Sequence, residues 1–343
     1  MTSIEQAQRG FSPAGIYLNT ATFGLPPRAS WDALQSALMS WRDGTADPAS
    51  YDEPLARARA AYGEMVGVEP SRIAVGSQVS VFTGMVANWL PTNSDVLIAE
   101  GEFTSLTFPF FALGHRVREV PLERIADEVR PETALVAVSA VQSADGRIAD
   151  LGALRATGVR VLLDTTQSAG WLPIDASQYA FTIAGGYKWL LTPRGTAFFT
   201  VQPEYLDALT PLNANWYAGP SPWRSIYGSP LRLAEDARRF DLSPAWHCWV
   251  AAAPALELLR EVGVDAIHAH NTSLAAAFRD ATGLAPSNSA IVSAEADEKV
   301  PELMAEAGIV AGVRAGRLRM AFHLTTTADD VARAAEVLGG HLR

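Results

Sequence analysis

Apolar positions along the first two hundred residues fall into two alternating textures. Residues 51–66 carry Leu55, Ala58, Tyr62, Met65 and Val66 at helical spacing, and a second helical pattern covers 28–42. Then come short runs apolar throughout: Ile73–Val75, Val96–Ile98, Leu135–Val138, Val159–Leu163, Phe181–Ala184 and Thr196–Val201. Between most of them lie amphipathic stretches of helical length, such as 78–90 and 123–130. Strands without a polar face, separated by helices, predict an α/β fold with a parallel or mixed sheet covered on both sides.

The texture changes after about residue 202. Residues 211–230, PLNANWYAGPSPWRSIYGSP, are too broken for a helix and too polar for a core strand. Helical patterns return near 245–262 and 264–281. A βαβ-like tail follows: Ala290–Val292, a helix near 299–307, Arg317–His323, and a last helix from about 328. These breaks predict an N-terminal segment over 1–20, a large domain over 21–230 and a smaller α+β domain over 231–343. The length of 343 residues agrees with more than one core.

Charge and cysteine content narrow the function classes. Acidic residues number 37 against 27 basic, a formal charge of −10, which argues against nucleic acid or an anionic membrane as the main partner. The single cysteine, Cys248, rules out an intrachain disulfide and points to a reducing, cytoplasmic setting. It sits in the apolar helical run AWHCWVAAAPALELL and reads as an inert core thiol. The neighbouring His247 faces elsewhere on the same helix. No zinc-ligand spacing, no G-x-S-x-G elbow and no nucleotide-binding glycine loop is present in the sequence. No signal-peptide pattern and no span-length apolar run is present either.

In open α/β sheets ligands collect at the carboxyl ends of the strands, so the residues just past each run are the ones to read. Asp164 and Gln167 follow Val161–Leu163 in VLLDTTQSAG. Tyr187 and Lys188 follow Phe181–Ala184 in FTIAGGYKWLLTPRG. Ser77, Gln78 and Val79 follow Ile73–Val75 and open a helix. A lysine set between Phe181–Ala184 and Trp189-Leu190-Leu191 is expected to be buried, and burial lowers an amine's pKa toward a usable nucleophile. A helix N-terminus with small residues suits a phosphate monoester, a carboxylate suits a protonated pyridine nitrogen, and an amine suits an aldehyde. Phosphate, pyridine and aldehyde together describe pyridoxal 5′-phosphate.

The run LLDTTQSAG followed by GGYKWLLTPRG resembles the class V aminotransferase family, PLP enzymes of fold type I that include cysteine desulfurases, kynureninases and isopenicillin N epimerase-like proteins. YLNTATFGLPP near the start and RLRMAFHLTTTADD near the end are similar to the family's two terminal patterns. The resemblance implies a mostly parallel seven-stranded-type sheet covered by helices, a smaller α+β C-terminal domain, and a homodimer with sites at its interface. It implies that Lys188 carries the cofactor as a Schiff base and moves the substrate's Cα proton. Asp164 would pair with the pyridinium nitrogen, and Gln167 with the ring's phenolic oxygen. Ser77, Gln78, Val79 and Tyr187 would cradle the phosphate, and Phe103 would stack on the ring. Arg319 would clamp the substrate's α-carboxylate, with Gln142, Asn19 and Trp216 as further substrate contacts. Ordinary helix capping competes for Ser77, Gln78 and Asp164, plain core packing for Phe103, and a structural role for Gln142.

Three departures from the family pattern stand out: Gly185 in place of a serine, Ala140 in place of an asparagine, and Thr326 in place of the tail asparagine. No cysteine precedes the terminal arginine in GIVAGVRAGRLR, which argues against desulfurase chemistry of the persulfide kind. The expected activity is transamination or β-elimination of the C–S lyase type on a small-molecule amino-acid substrate. Secondary metabolism is the expected setting. Epimerisation and a non-catalytic scaffold are the alternatives. The aromatic stretch 211–230 reads either as a cover over the site's mouth or as a dimer contact.

Overall fold

The structure is a computed structural model that describes residues 2–343. The chain opens with a short helix α1 (Ile4–Gln8), closed by a capping box from Ser3, and a two-residue strand β1 (Ile16–Tyr17). Helices α2 (Arg28–Arg42) and α3 (Asp52–Val66) match the helical periodicities. From there strands and helices alternate: β2 (Ile73–Gly76), α4 (Val79–Trp89), β3 (Asp95–Ala99), α5 (Thr104–Ala112), β4 (Arg116–Val120), β5 (Thr133–Ser139), α6 (Leu151–Ala156), β6 (Val161–Asp164), β7 (Phe181–Gly185) and β8 (Ala197–Val201). Two long helices follow, α7 (Trp246–Val262) and α8 (Val264–Thr282). The tail holds β9 (Ile291–Ala294), α9 (Val300–Ala307), β10 (Ile309–Val310), β11 (Gly312–Arg314), β12 (Arg317–Ala321) and α10 (Ala328–Leu338).

The large sheet has seven strands in the order β2-β8-β7-β6-β5-β3-β4. All run parallel except β8, which is antiparallel to both neighbours. Strand alternation feeds two cores: Leu135, Ala137 and Leu162 pack with Phe82 and Phe199 on one face, while Val136, Val138 and Leu163 pack with Leu154 and Tyr179 on the other. Because both faces are covered, the strands read as unbroken apolar runs. A third core joins Tyr62 and Leu55 of α3 to Trp249 and Leu256 of α7.

One sequence expectation needs correction, and two elements were not foreseen. The helix expected over 123–130 is a single 3₁₀ turn, Leu122–Arg124. The edge strand β4 and the helix α5 were not expected. The pattern RVREV keeps β4 partly exposed, and Pro109 with four aromatic or leucine neighbours blurs the period of α5. The stretch 211–230 is neither helix nor strand beyond short 3₁₀ turns, as its composition predicts.

The smaller sheet, β11-β12-β9, is antiparallel and packs with α8 and α10 around Phe278, Met320 and Phe322. Helix α7 packs against α2 and α3, and α8 packs against α10. β1 pairs with β10, and Asn19 bridges to Ala321, so the N-terminal segment is laid along the small unit.

Candidate active site

Parallel strands deliver their carboxyl ends to one edge, and the reversed β8 delivers its amino end there. That is why Ser77 after β2, Phe103 after β3, Ser139 and Ser143 at and after β5, Asp164 at the end of β6, Lys188 after β7 and Arg194–Thr196 before β8 line one cavity of about 410 Å³. Val79, Gln78, Thr166, Gln167, Gly185 and Tyr187 complete most of the wall.

The loop bearing Lys188 is pinned on all sides. Gly186 donates to the Thr196 carbonyl at 3.0 Å, and the Thr192 and Thr196 hydroxyls meet at 2.6 Å. Gly24 donates to the Tyr187 carbonyl at 2.8 Å and lies so close that a Cβ there would collide with the Lys188 carbonyl. Leu191 is held at φ 58°, a left-handed conformation that costs a leucine about 1 kcal/mol. His323, fully buried and pushed down to about 3 by desolvation, bonds the Trp189 carbonyl through Nε2 at 3.0 Å and Asn271 through Nδ1 at 3.1 Å.

Lys188 is buried, and among the described residues its ammonium makes no ion pair within 4.0 Å. It lies 5.3 Å from the Phe103 ring centre and 5.6 Å from that of Tyr187. Desolvation, aided by the charges of Arg319, Arg314 and Arg194 and opposed by Asp164, lowers its pKa to about 8. Asp164 is also buried, and burial raises its pKa. Its Oδ1 accepts the Thr166 amide at 2.8 Å, the Thr166 side chain also pulls its pKa down, and no hydrogen bond from the other described residues reaches Oδ2. Amine and carboxylate thus face the same cavity without neutralising each other.

Helix α4 begins at the cavity without a side-chain cap, its first amides free of side-chain acceptors. Arg194 lies over the Tyr187 ring at 5.1 Å and, with Lys188, supplies the cationic side chains among the lining residues. Arg319 is fully buried and donates from Nη1 to the Ser143 carbonyl and hydroxyl and from Nη2 to Thr22 Oγ1 at 2.7 Å. Its Nε has no partner, and desolvation lowers its pKa to about 10.

Other expected residues are committed to the protein or stand elsewhere. Gln167 lines the cavity, but its amide N–H groups go to the Ala21 carbonyl at 3.0 Å and Ser143 Oγ at 3.1 Å, while its oxygen accepts from Trp189. Gln142 is absent from the lining and donates to Glu102 at 2.7 Å. Asn19 lies at the base of the small sheet, its Oδ1 buried without a partner. Trp216 packs on Trp223 and Tyr217, whose Nε1–H and O–H groups donate to Asp52 on α3, away from the cavity.

The sequence reading missed Glu102, Ser139, Thr166 and Arg194. Glu102 accepts from the Ser139 amide and hydroxyl and from Gln142, and burial raises its pKa. Its position in IAEGEF just past β3 was the available signal, as was the place of Arg194 in TPRG before β8. Cys248 donates to the Arg194 carbonyl at 3.3 Å and is raised by burial, as an inert thiol would be.

This sheet, with an amine and a carboxylate on neighbouring strand ends, defines a PLP enzyme of fold type I. The family profile described as Aminotransferase class-V matches residues 87–304, and the chain belongs to that family. The sequence is 28% identical over 305 residues to the uncharacterized aminotransferase YcbU of Bacillus subtilis, covering 81% of each chain. It is 26% identical to isopenicillin N epimerase of Streptomyces clavuligerus, covering 76% of this chain and 73% of that one. Among solved structures, the fold is similar to the cystine C–S lyase C-DES, with a TM-score of 0.83 at 20% identity over 96% of this chain and 98% of that one. It is also similar to the cysteine desulfurase CsdA of Escherichia coli, with a TM-score of 0.82 at 19% identity over 98% of each chain. The cofactor of this enzyme is pyridoxal 5′-phosphate. The donor set fits it: an unpaired buried amine, a carboxylate oxygen without a donor, and an uncapped helix N-terminus around one cavity. Among the described residues no helix is long and apolar enough to cross a membrane.

Proposed function

We propose that Lys188 carries the cofactor and moves the proton on the α-carbon of an amino-acid substrate, leading to transamination or β-elimination. The observation that carries this reading is the buried Lys188 amine, lowered to about 8 and left without an ion pair beside Asp164. Bound pyridoxal 5′-phosphate supplies an electron sink that acidifies that proton. Near neutral pH an appreciable fraction of Lys188 is the free base, so it can act as nucleophile and as proton carrier. Asp164, with Oδ1 bonded to the Thr166 amide, would pair with a pyridinium N–H, and Phe103, its ring 5.3 Å from the Lys188 amine, would cover the cofactor ring. The amides opening α4, with Ser77, Gln78 and Val79, and Arg194 near Tyr187 are suited to a phosphate dianion. Arg319 is suited to the α-carboxylate, since its Nε lacks an acceptor and no acid stands against it.

Epimerisation is the second reading, supported by the two relatives named isopenicillin N epimerase. The holoenzyme also acts as a homodimer in this proposal, supported by the exposed Trp31 and Trp41 on α2 and Phe108 on α5. The test is to incubate the holoenzyme with amino acids in D₂O and follow deuterium at Cα by NMR. A retained side chain on a 2-oxo acid marks transamination, pyruvate plus thiol from a cysteine conjugate marks elimination, and a labelled enantiomer marks epimerisation. Exchange at Cα that survives Lys188→Ala unchanged would remove the role given to Lys188.

A further inference from the structure

Two cationic side chains that share a hydroxyl but have no carboxylate partner lie beside the cavity wall. Thr22 Oγ1 accepts from Arg319 Nη2 at 2.7 Å and from Arg314 Nη2 at 3.2 Å. Two guanidinium groups therefore meet on one hydroxyl, and that oxygen's own proton has no acceptor among the described residues. Among the described residues neither arginine has a carboxylate within 4.0 Å. The nearby Arg317 is already paired with Glu295 at 2.8 Å. In a chain with 37 acidic residues and a net charge of −10, none has been placed between these two cations.

Position makes the pair useful. Arg319 is buried on β12 and touches Ser143 of the cavity wall. Arg314 is exposed on β11, carried by a hairpin whose turn residues Ala315 and Gly316 hold φ of 48° and 77°. The charge of Arg314 is felt at Lys188 and at Tyr187. One arginine is therefore buried against the cavity wall at Ser143, and the second is exposed and joined to it through the Thr22 hydroxyl. Like charges held together repel unless an anion joins them.

We propose that Arg314 and the Thr22 hydroxyl form a site for a second anionic group on the substrate, so that the enzyme selects a short acidic amino acid with a side-chain carboxylate. This rests on the amino-acid reading of the site, with Arg319 taking the α-carboxylate. A common hydroxyl between the two arginines keeps their anion sites close, which suits a side chain of one or two methylene groups. A neutral amide of the same shape leaves Arg314 unneutralised and gains only weak hydrogen bonds.

The test titrates the holoenzyme with L-aspartate against L-asparagine and with L-glutamate against L-glutamine, following the cofactor's visible absorbance. Wild type is expected to bind one of the acids about tenfold or more tighter than its amide. Arg314→Gln should bring that ratio close to one, and Arg314→Glu should invert it. Acid and amide binding equally to wild type, or Arg314→Gln weakening both alike, would overturn the second-anion site while leaving the amino-acid reading intact. A band that responds to none of the four, nor to any other amino acid, would overturn both.

Discussion

Two buried arrangements of an aspartate and a basic side chain sit in this chain with opposite designs. At Asp241, Arg59 donates from Nη1 at 3.1 Å and Nη2 at 2.6 Å, and the Val75 amide adds a bond at 2.8 Å. Both carboxylate oxygens are occupied and the guanidinium's charge is matched. At Asp164 one oxygen has a single amide donor, and Lys188 remains unpaired although both groups are buried. The first arrangement ties β2 to the segment before α7. The second stores unsatisfied donor and acceptor capacity around a cavity. Saturation marks a structural pair, and its absence at equal burial marks a binding site.

Exchanging the two aspartates' roles breaks the comparison most strongly. Asp241→Asn leaves Arg59 facing a neutral partner and should lower stability by about 3–5 kcal/mol. Asp164→Asn keeps an acceptor for the Thr166 amide, so its unfolding midpoint should stay close to wild type. Turnover should fall by about a hundredfold or more. Urea denaturation and steady-state kinetics on both variants check this, and a comparable loss of stability at both positions would erase the distinction.

The next effect is in pH. Lys188 has a folded value of about 8 below an ordinary value of 10.5, so between them the unfolded chain binds more protons than the folded one. Stability of the cofactor-free protein should therefore rise from about pH 8 to about pH 10.5, with the full burial penalty present below 8. Lys188→Met should remove that rise and stabilise the neutral-pH protein by up to about 3 kcal/mol. Denaturation curves across this range test it. The same slope in wild type and variant would assign it to another group.

The smallest expected change concerns the aromatic stretch. Trp216→Ala should cost about 2 kcal/mol through lost packing on Trp223 and Tyr217, with KM for the best substrate unchanged. A raised KM with unchanged stability would restore the expectation that Trp216 contacts substrate.

What could be read in advance follows from how each feature is encoded. Strands covered on both faces announce themselves as apolar runs, so the ends bearing Asp164 and Lys188 were legible, as was the helix opened by Val79. Strand β4 pairs through its backbone with only one neighbour, and its side chains stay mixed, so composition does not reveal it. Side-chain commitments were less legible still. Gln142 sits near the site in sequence, but its amide is spent on Glu102, a partner forty residues earlier that only the β3–β5 packing brings near. Thr22 and Arg314 lie 292 residues apart and meet because β1 and β10 fix the N-terminal segment to the small unit.

The most direct measurement uses a feature of the composition: the chain has two lysines, Lys188 and Lys299. Holoenzyme reduced with borohydride, digested and mapped by mass spectrometry should carry the pyridoxyl group on the Lys188 peptide alone. An adduct confined to Lys299 or to the N-terminal amine, or none after loading with pyridoxal 5′-phosphate, would contradict the account.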